Sequence, residues 1–561
     1  MCSSRSIRIA AACLLVLVPV VCSQQIRSGV GATLYNGIRL PEVWPPRDVS
    51  LSLDPRPPPP YLTSPPATIP IDVGRQLFVD DFLIEQTTLT RTYHKAEYFP
   101  GNPVLKPDRE WERQDTKAWG PVEAVSVFSD GAWYDPKDQL FKLWYRVAYT
   151  RATALATSKD GIRWEKPVLD VVPGTNITSN EGRGSSTVWM DLEEGDPSRR
   201  FKMMFSRSHM QPQRLFFSPD GIHWSPEVAH SLPCGDRTTM FWNPFRKVWV
   251  FSIRDGDDPR FGRARRYHEH PDIVSGVQWK AGEPVWWVGA DRLDPMRPDL
   301  KVQPQLYNLD AVGYESLMLG LFAVWRGAPK DRQKPNEVVL GYSRDGFHWT
   351  RPVRTAFIPV SEKFGDWNWT NVQPAGGGCL IVGDKLHFYV MGWAGVRASL
   401  KVGVGSIGLA TLRRDGFASM DAGDAVGTLT TRPIRFQGKH LFVNADAKGG
   451  SLTVEVLDAK GKAIKPFSRG NCLPVSTDKT LEPIRWKSGD DFSRLAGKPV
   501  RFRFHLRRAR LYAFWVSPEA TGASHGYVAA GGPGFTGPVD TVGAAEAGNS
   551  REDSIRHASR P

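Results

Sequence analysis

Three aspartates stand at matching places in three of the five segments of this chain. Asp130 opens the stretch Asp130-Gly131-Ala132-Trp133-Tyr134, Asp236 precedes Phe241-Trp242-Asn243-Pro244, and Asp310 leads into Tyr314-Glu315. Another segment carries Thr187 at that place, and another has Trp367, Asn368, Trp369 and Asn371 just upstream of its first strand. Carboxyl groups gathered at one rim suit the cleavage of a glycosidic bond. One carboxylate attacks or activates water, a protonated partner donates to the leaving oxygen, and a third acid orients the sugar and raises the donor's pKa. The alternative for each Asp alone is a strand cap bonded to nearby amides. The Trp and Asn residues of 367–371 suit a sugar platform, with rings stacking on apolar sugar faces and amides bonding hydroxyls, or else a packed loop. Arg237 and Arg254 suit an acidic group on a sugar, or else a surface ion pair. Asp80 and Asp81 either point into the same funnel or sit solvated on an edge strand.

The elements that must position these residues are read from an internal repeat. Ser158, Asp160, Gly161 and Trp164 recur with the same spacing as Ser218, Asp220, Gly221 and Trp224, and again as Ser343, Asp345, Gly346 and Trp349. Arg414-Asp415-Gly416-Phe417 is a weaker copy, and the run from Asp272 to Trp279 a degenerate one. Asp-Gly suits a tight reversal between strands. Within the first unit, strands are expected over 132–134, 140–147 and near 152–158. Four strands per unit and five units predict an all-β chain, a five-bladed β-propeller over 73–425. A strand near 75–85 is expected to help close the ring. From 426 to 520 the pattern changes to alternating strands over 433–443, 452–457, 499–506 and 511–516, a C-terminal β-sandwich.

The flanks read differently. Residues 1–23 form a signal peptide, with Arg5 and Arg8 before an apolar run over 9–21 and cleavage after Ser23, which predicts a secreted or periplasmic protein. The run is too short for a transmembrane helix, so no stable membrane insertion is expected. Residues 24–72 read as a largely disordered linker, with eleven prolines between 41 and 70. Residues 521–561 read as a disordered tail.

The formal net charge is +13 over 561 residues, but it is spread thinly, so nucleic acid is not an expected partner. The cysteines that survive cleavage, Cys234, Cys379 and Cys472, read as buried thiols rather than a disulfide framework. No motif implies a metal or an organic cofactor, and no loop compels a structural Ca²⁺. A carbohydrate partner and a monomer are expected.

The motifs resemble those of glycoside hydrolase families 32 and 43, the invertase, levanase and arabinanase group. Ser129-Asp130-Gly131 precedes Leu143-Trp144-Tyr145 as the family-32 nucleophile motif precedes its strand. Gly235-Asp236-Arg237 precedes Phe241-Trp242 and Lys247-Val248-Trp249, in the place of an Arg-Asp-Pro motif. Tyr314-Glu315-Ser316 is the nearest match to the Glu-Cys-Pro motif of the acid/base. The resemblance covers roughly residues 75–520. The run from Leu77 to Glu85 is similar to the opening of secreted family-32-like proteins. It implies a secreted glycosidase with Asp130 as nucleophile, Asp236 supporting the transition state and Glu315 as proton donor. Register along the strands favours Asp310 as donor instead.

Overall fold

The computed structural model describes residues 31–116, 120–149, 151–254, 258–330, 333–395 and 403–544. The signal peptide lies outside the described residues, as do the first part of the linker and the end of the tail.

The repeated tetrad builds one turn three times. Ser158 Oγ accepts from the Gly161 amide at 2.9 Å, and Asp160 Oδ1 accepts from the amides of Ile162 at 2.8 Å and Arg163 at 2.7 Å. Ser218 with Asp220, and Ser343 with Asp345, hold their turns by the same bonds. The glycine sits at φ +71°, +78° and +83° in the three copies, a left-handed backbone that other residues enter only with strain. Each turn also clasps a neighbouring unit. Trp144 Nε1 donates to the Gly221 carbonyl at 2.8 Å, and Trp287 Nε1 to the Phe347 carbonyl at 2.7 Å. The repeat is therefore a clamp between units as well as a reversal within one. The degenerate copy differs: Asp272 accepts from the Ser275 amide at 2.8 Å and caps a short helix, Ile273–Val277. Without a glycine after the Asp, capping a helical turn satisfies the same acceptor.

The chain is nearly all β. The first unit pairs Ala132–Asp135, Leu140–Val147, Ala152–Ser158 and Ile177–Ser179. Four-stranded sheets follow, starting with inner strands Ser186–Met190 and Thr239–Asn243, and then the sheet of Gln305–Glu315, Leu317–Trp325 and Glu337–Ser343. The inner strands 186–190, 239–243 and 305–315 lie side by side in that order, as blades do around a propeller axis. The last unit, built on Thr370–Pro374, Lys385–Trp393 and Val404–Arg413, is joined to the first through Gly120–Ser126 in one eleven-stranded sheet. Hydrogen-bond order alone thus does not deliver five separate blades.

The expected closing strand at 75–85 belongs elsewhere. Gln76–Leu77 pairs with Phe514 and Ala513, and Ile84–Thr87 pairs with Gly427–Thr431, so both join the sandwich. Glu97–Tyr98 instead pairs with Thr411 and Ala410 on the edge of the last unit. Asp80 is buried against Arg344 at 2.8 Å, and Asp81 is exposed beside Arg91, so neither reaches the funnel. The apolar partners of Phe78 and Leu83 decide this: both fill the sandwich core with Phe502, Phe504 and Phe514.

The two flanks also depart from expectation. The Pro-rich segment is packed from residue 31 onward. Leu34, Ile38, Leu40 and Tyr61 are buried in the sandwich core, and Tyr35 stacks on Phe245 at 4.4 Å. Apolar side chains before and among the prolines provide the burial that the proline count hides. The tail is ordered to residue 544. Tyr527–Val528 pairs with Glu315 and Tyr314, Ala530 accepts from the Tyr134 amide at 3.0 Å, and Gly531 accepts from the Ile381 amide at 2.9 Å. A Cβ at Gly526 or Gly532 would collide with Glu315 or Ile381, so its glycines are what let this segment approach the inner strands.

Candidate active site

The site grows from a strained residue. Ser129 is wholly buried at φ +66°, a backbone state rare for a non-glycine residue and found most often where function holds it. It turns the chain just before Asp130, whose carboxylate is fully occupied. Oδ1 accepts from Arg183 Nη2 at 2.7 Å and from the Ser186 hydroxyl, and Oδ2 accepts from the Phe128 amide at 3.2 Å. Arg183 and Ser186 belong to the approach and start of the second unit's inner strand. The second unit therefore fixes the carboxylate of the first, which is 0% exposed.

Asp310 lies on Gln305–Glu315, after a shift of register between Leu306 and Asn308. Its Oδ2 accepts from Ser129 Oγ at 2.8 Å and from Asn308 Nδ2 at 2.6 Å. Burial raises its pKa to about 6, against the lowering pull of Arg237, the Ser129 hydrogen bond and Arg265, while the charge of Asp130 adds to the rise. Asp236 is the most open of the three, with 29% of its side chain exposed. It pairs with Arg254, and His209 Nδ1 stands 3.4 Å from Oδ1. Burial opposes its ionisation, but Arg254, His209, Arg237 and Lys334 together hold its pKa below the ordinary Asp value.

Arg237 follows directly. Its guanidinium is wholly buried and lies 3.9 Å from the centre of the Phe128 ring, and its carbonyl accepts from Arg265 Nη1 at 2.6 Å. Its strongest opposite charge is Asp310. Nearby, Lys334 Nζ donates to the Tyr307 hydroxyl at 2.8 Å, and this cation lowers the Tyr307 pKa although burial pushes it up.

The expected site residues therefore divide. Asp130, Asp236, Asp310 and Arg237 come together, linked by Ser129 and by mutual charge. Thr187 is buried on Ser186–Met190, the inner strand beside them, with its hydroxyl unpartnered among the described residues. Glu315 does not join them. It sits at φ +49° in the hairpin turn, wholly buried, with Arg75 at 3.5 Å, Arg414 at 3.4 Å and a hydrogen bond from Ser524 Oγ at 2.7 Å. That is the hairpin end of the strand whose middle carries Asp310. The 367–371 loop is mostly packing. Trp367 meets Tyr98 edge-on at 5.5 Å, Trp369 meets Phe364 at 4.8 Å, and Asn368 is buried. Asn371 accepts from Asn336 at 2.8 Å and Gln373 at 2.7 Å, and its amide bonds the Lys334 carbonyl, which places it at the rim. Arg254 forms the expected ion pair.

Sequence reasoning passed over Arg146, Arg183, Arg265, Asn308, Tyr307 and Lys334. For Arg146 in Leu140–Val147 the local signal is a polar residue inside an apolar strand, whereas Arg183 and Lys334 lie between strands and give none. Among the described residues no three His, Cys, Asp or Glu side chains are grouped to hold a metal, and no helix is long and apolar enough to cross a membrane.

No family model matches the chain, and no curated protein matches it. Solved structures do resemble it. An N-acetylgalactosamine deacetylase from F. plautii, in complex with blood group B trisaccharide, is 14% identical over 59% of this chain and 96% of that one, with a TM-score of 0.37. An exo-β-1,3-galactanase from Phanerochaete chrysosporium is 12% identical over 73% of this chain and 99% of that one, at 0.33. A β-fructofuranosidase from Schwanniomyces occidentalis is 10% identical over 75% of this chain and 96% of that one, at 0.34. Glycoside hydrolases are thus among the neighbours, but a deacetylase is as well, and similarity this distant carries no argument about chemistry.

Proposed function

We propose that this chain is a glycoside hydrolase acting on an oligo- or polysaccharide outside the cytoplasm, with Asp310 as proton donor and Asp236 as the ionised partner. One observation carries the reading: two carboxyl groups that share the charge of the buried Arg237 are pushed apart in pKa, Asp310 up to about 6 and Asp236 below the ordinary range. Opposite shifts in two acids around one cation are how one site holds an acid and a base together. Asp236 takes the role first expected of Asp130, because Asp130 has both oxygens bonded and no exposed surface. Asp130 is then a positioning residue. It anchors Arg183, and its negative charge helps keep the proton on Asp310.

Hydrolysis of a glycan panel by the parent, Asp310→Asn and Asp236→Asn tests this. Release of sugar by the parent and loss in both variants is the expected result. Equal release by all three removes the assignment. The burial of Asp130 and Asp310, at 0% and 4% exposure, favours a second reading, a propeller that binds carbohydrate without cutting it. Binding of a glycan with no release would establish it.

A further inference from the structure

The three nitrogens of the Arg237 guanidinium are buried, and none meets an acceptor among the described residues. The group is stacked on Phe128 and held in place, but unsatisfied. Arg146 repeats the pattern. Its guanidinium lies 4.4 Å from the same ring and 5.3 Å from Tyr149, with its Nε unpartnered among the described residues. Arg183, Arg254 and Arg265 add three more cations to the same charge network, which Asp130, Asp236 and Asp310 share. Arg183 and Arg254 already have aspartate partners. A buried guanidinium with no hydrogen-bond acceptor is costly, and folds retain one where a ligand supplies the acceptor. A guanidinium presents its donors as a planar fork matched to a carboxylate or a sulfate, and stacking on an aromatic ring fixes that fork in advance.

We propose that the site takes an acidic glycan, with the carboxylate of a uronic acid or the sulfate of a sulfated sugar held by Arg237 and Arg146 beside Asp236 and Asp310. The inference rests on the reading of this site as a glycosidase site. It adds the substrate class: sugars whose oxyanion supplies the acceptors the arginines lack.

The test uses the full chain with matched pairs of polysaccharide: polygalacturonate and its carboxyl-reduced form, and a sulfated galactan and its desulfated form. New reducing ends report cleavage, and calorimetry reports binding. The charged member of one pair is expected to exceed its stripped twin in kcat/KM by about 100-fold, the range that a buried charge pair contributes. Arg237→Met, which keeps an apolar stem on Phe128, is expected to cut that preference by about 10-fold or more, chiefly through KM. If Arg237→Met does not fold, Arg146→Met carries the same expectation.

Cleavage of stripped and charged forms alike would overturn the inference and leave the hydrolase reading standing. Binding of a charged glycan without cleavage would support the inference and remove the hydrolase reading. Neither binding nor cleavage of any member would remove both. Cleavage that requires added inorganic phosphate and releases a sugar phosphate would also overturn it, because the anion would then be free phosphate.

Discussion

Ser129 donates its hydroxyl to Asp310 at 2.8 Å across 181 residues of chain. The bond ties the turn that presents Asp130 to the strand that presents Asp310, so two blades share one proton-holding unit. Asn308 completes it, reaching both Ser129 Oγ at 2.7 Å and Asp310 Oδ2 at 2.6 Å.

The pH–rate profile should record the Asp310 proton. A donor with a pKa of about 6 works while protonated, so kcat/KM is expected to fall as pH rises through about 6. Asp310→Asn should lose activity by about 10³-fold, within the range of general acid catalysis, and should lose that limb. Stability should move with the same group. The folded state holds this proton to higher pH than the unfolded chain, so stability falls between about pH 4 and pH 6, on the order of 3 kcal/mol in all. Chemical denaturation at pH 4 and pH 8 should show the asparagine variant with a weaker decline.

Ser129 should tune that limb. Its hydrogen bond lowers the Asp310 pKa, so Ser129→Ala should move the falling limb to higher pH. Ser129→Gly should move it the same way but unfold at higher denaturant than the alanine variant, by roughly 1 kcal/mol, because glycine adopts φ +66° without strain. A limb unmoved in both variants would mean that Asp310 is not the donor.

The inter-blade clamp can be tested at Gly221. It sits at φ +78°, and a Cβ there would strike the indole of Trp144, whose Nε1 bonds the Gly221 carbonyl at 2.8 Å. Gly221→Ala should cost about 3 kcal/mol, backbone strain plus overpacking. Gly174 has nearly the same φ, +79°, with nothing in reach of a Cβ. Gly174→Ala should cost only about 1 kcal/mol, and thermal melts of the pair would separate the two terms.

Glu315 and Asp310 lie on one strand with different duties. Glu315→Gln leaves Arg75 and Arg414 with less counter-charge in a dry network, at a cost of about 3 kcal/mol. It should lower the melting temperature while kcat/KM of the folded protein holds. A loss of kcat like that of Asp310→Asn would return Glu315 to the chemistry.

Much of this architecture was legible in the sequence, for particular reasons. The Ser-x-Asp-Gly tetrad is local, since its bonds span three residues, so it betrayed the repeats. Strands such as Leu140–Val147 announced themselves by apolar runs between turns. The place of 75–85 was not legible, because the partners of Phe78 and Leu83 lie more than four hundred residues away in the sandwich. Glu315 misled because a motif reports neighbours in sequence, whereas position along a strand decides which end of the blade a side chain serves. Arg237 and Arg254 drew notice beside Asp236, but Arg146 and Arg183 escaped, because each alone reads as an outward-facing polar residue. Only the folded chain brings Arg146, Arg183 and Arg237 into one charge network.

The C-terminal segment joins units that chain order keeps apart. Residues 527–531 bond to Tyr134 of the first unit, to Tyr314 of the fourth and to Ile381 of the last. The segment is a lace drawn through three units, and the propeller is complete only with residues that lie beyond the sandwich in sequence.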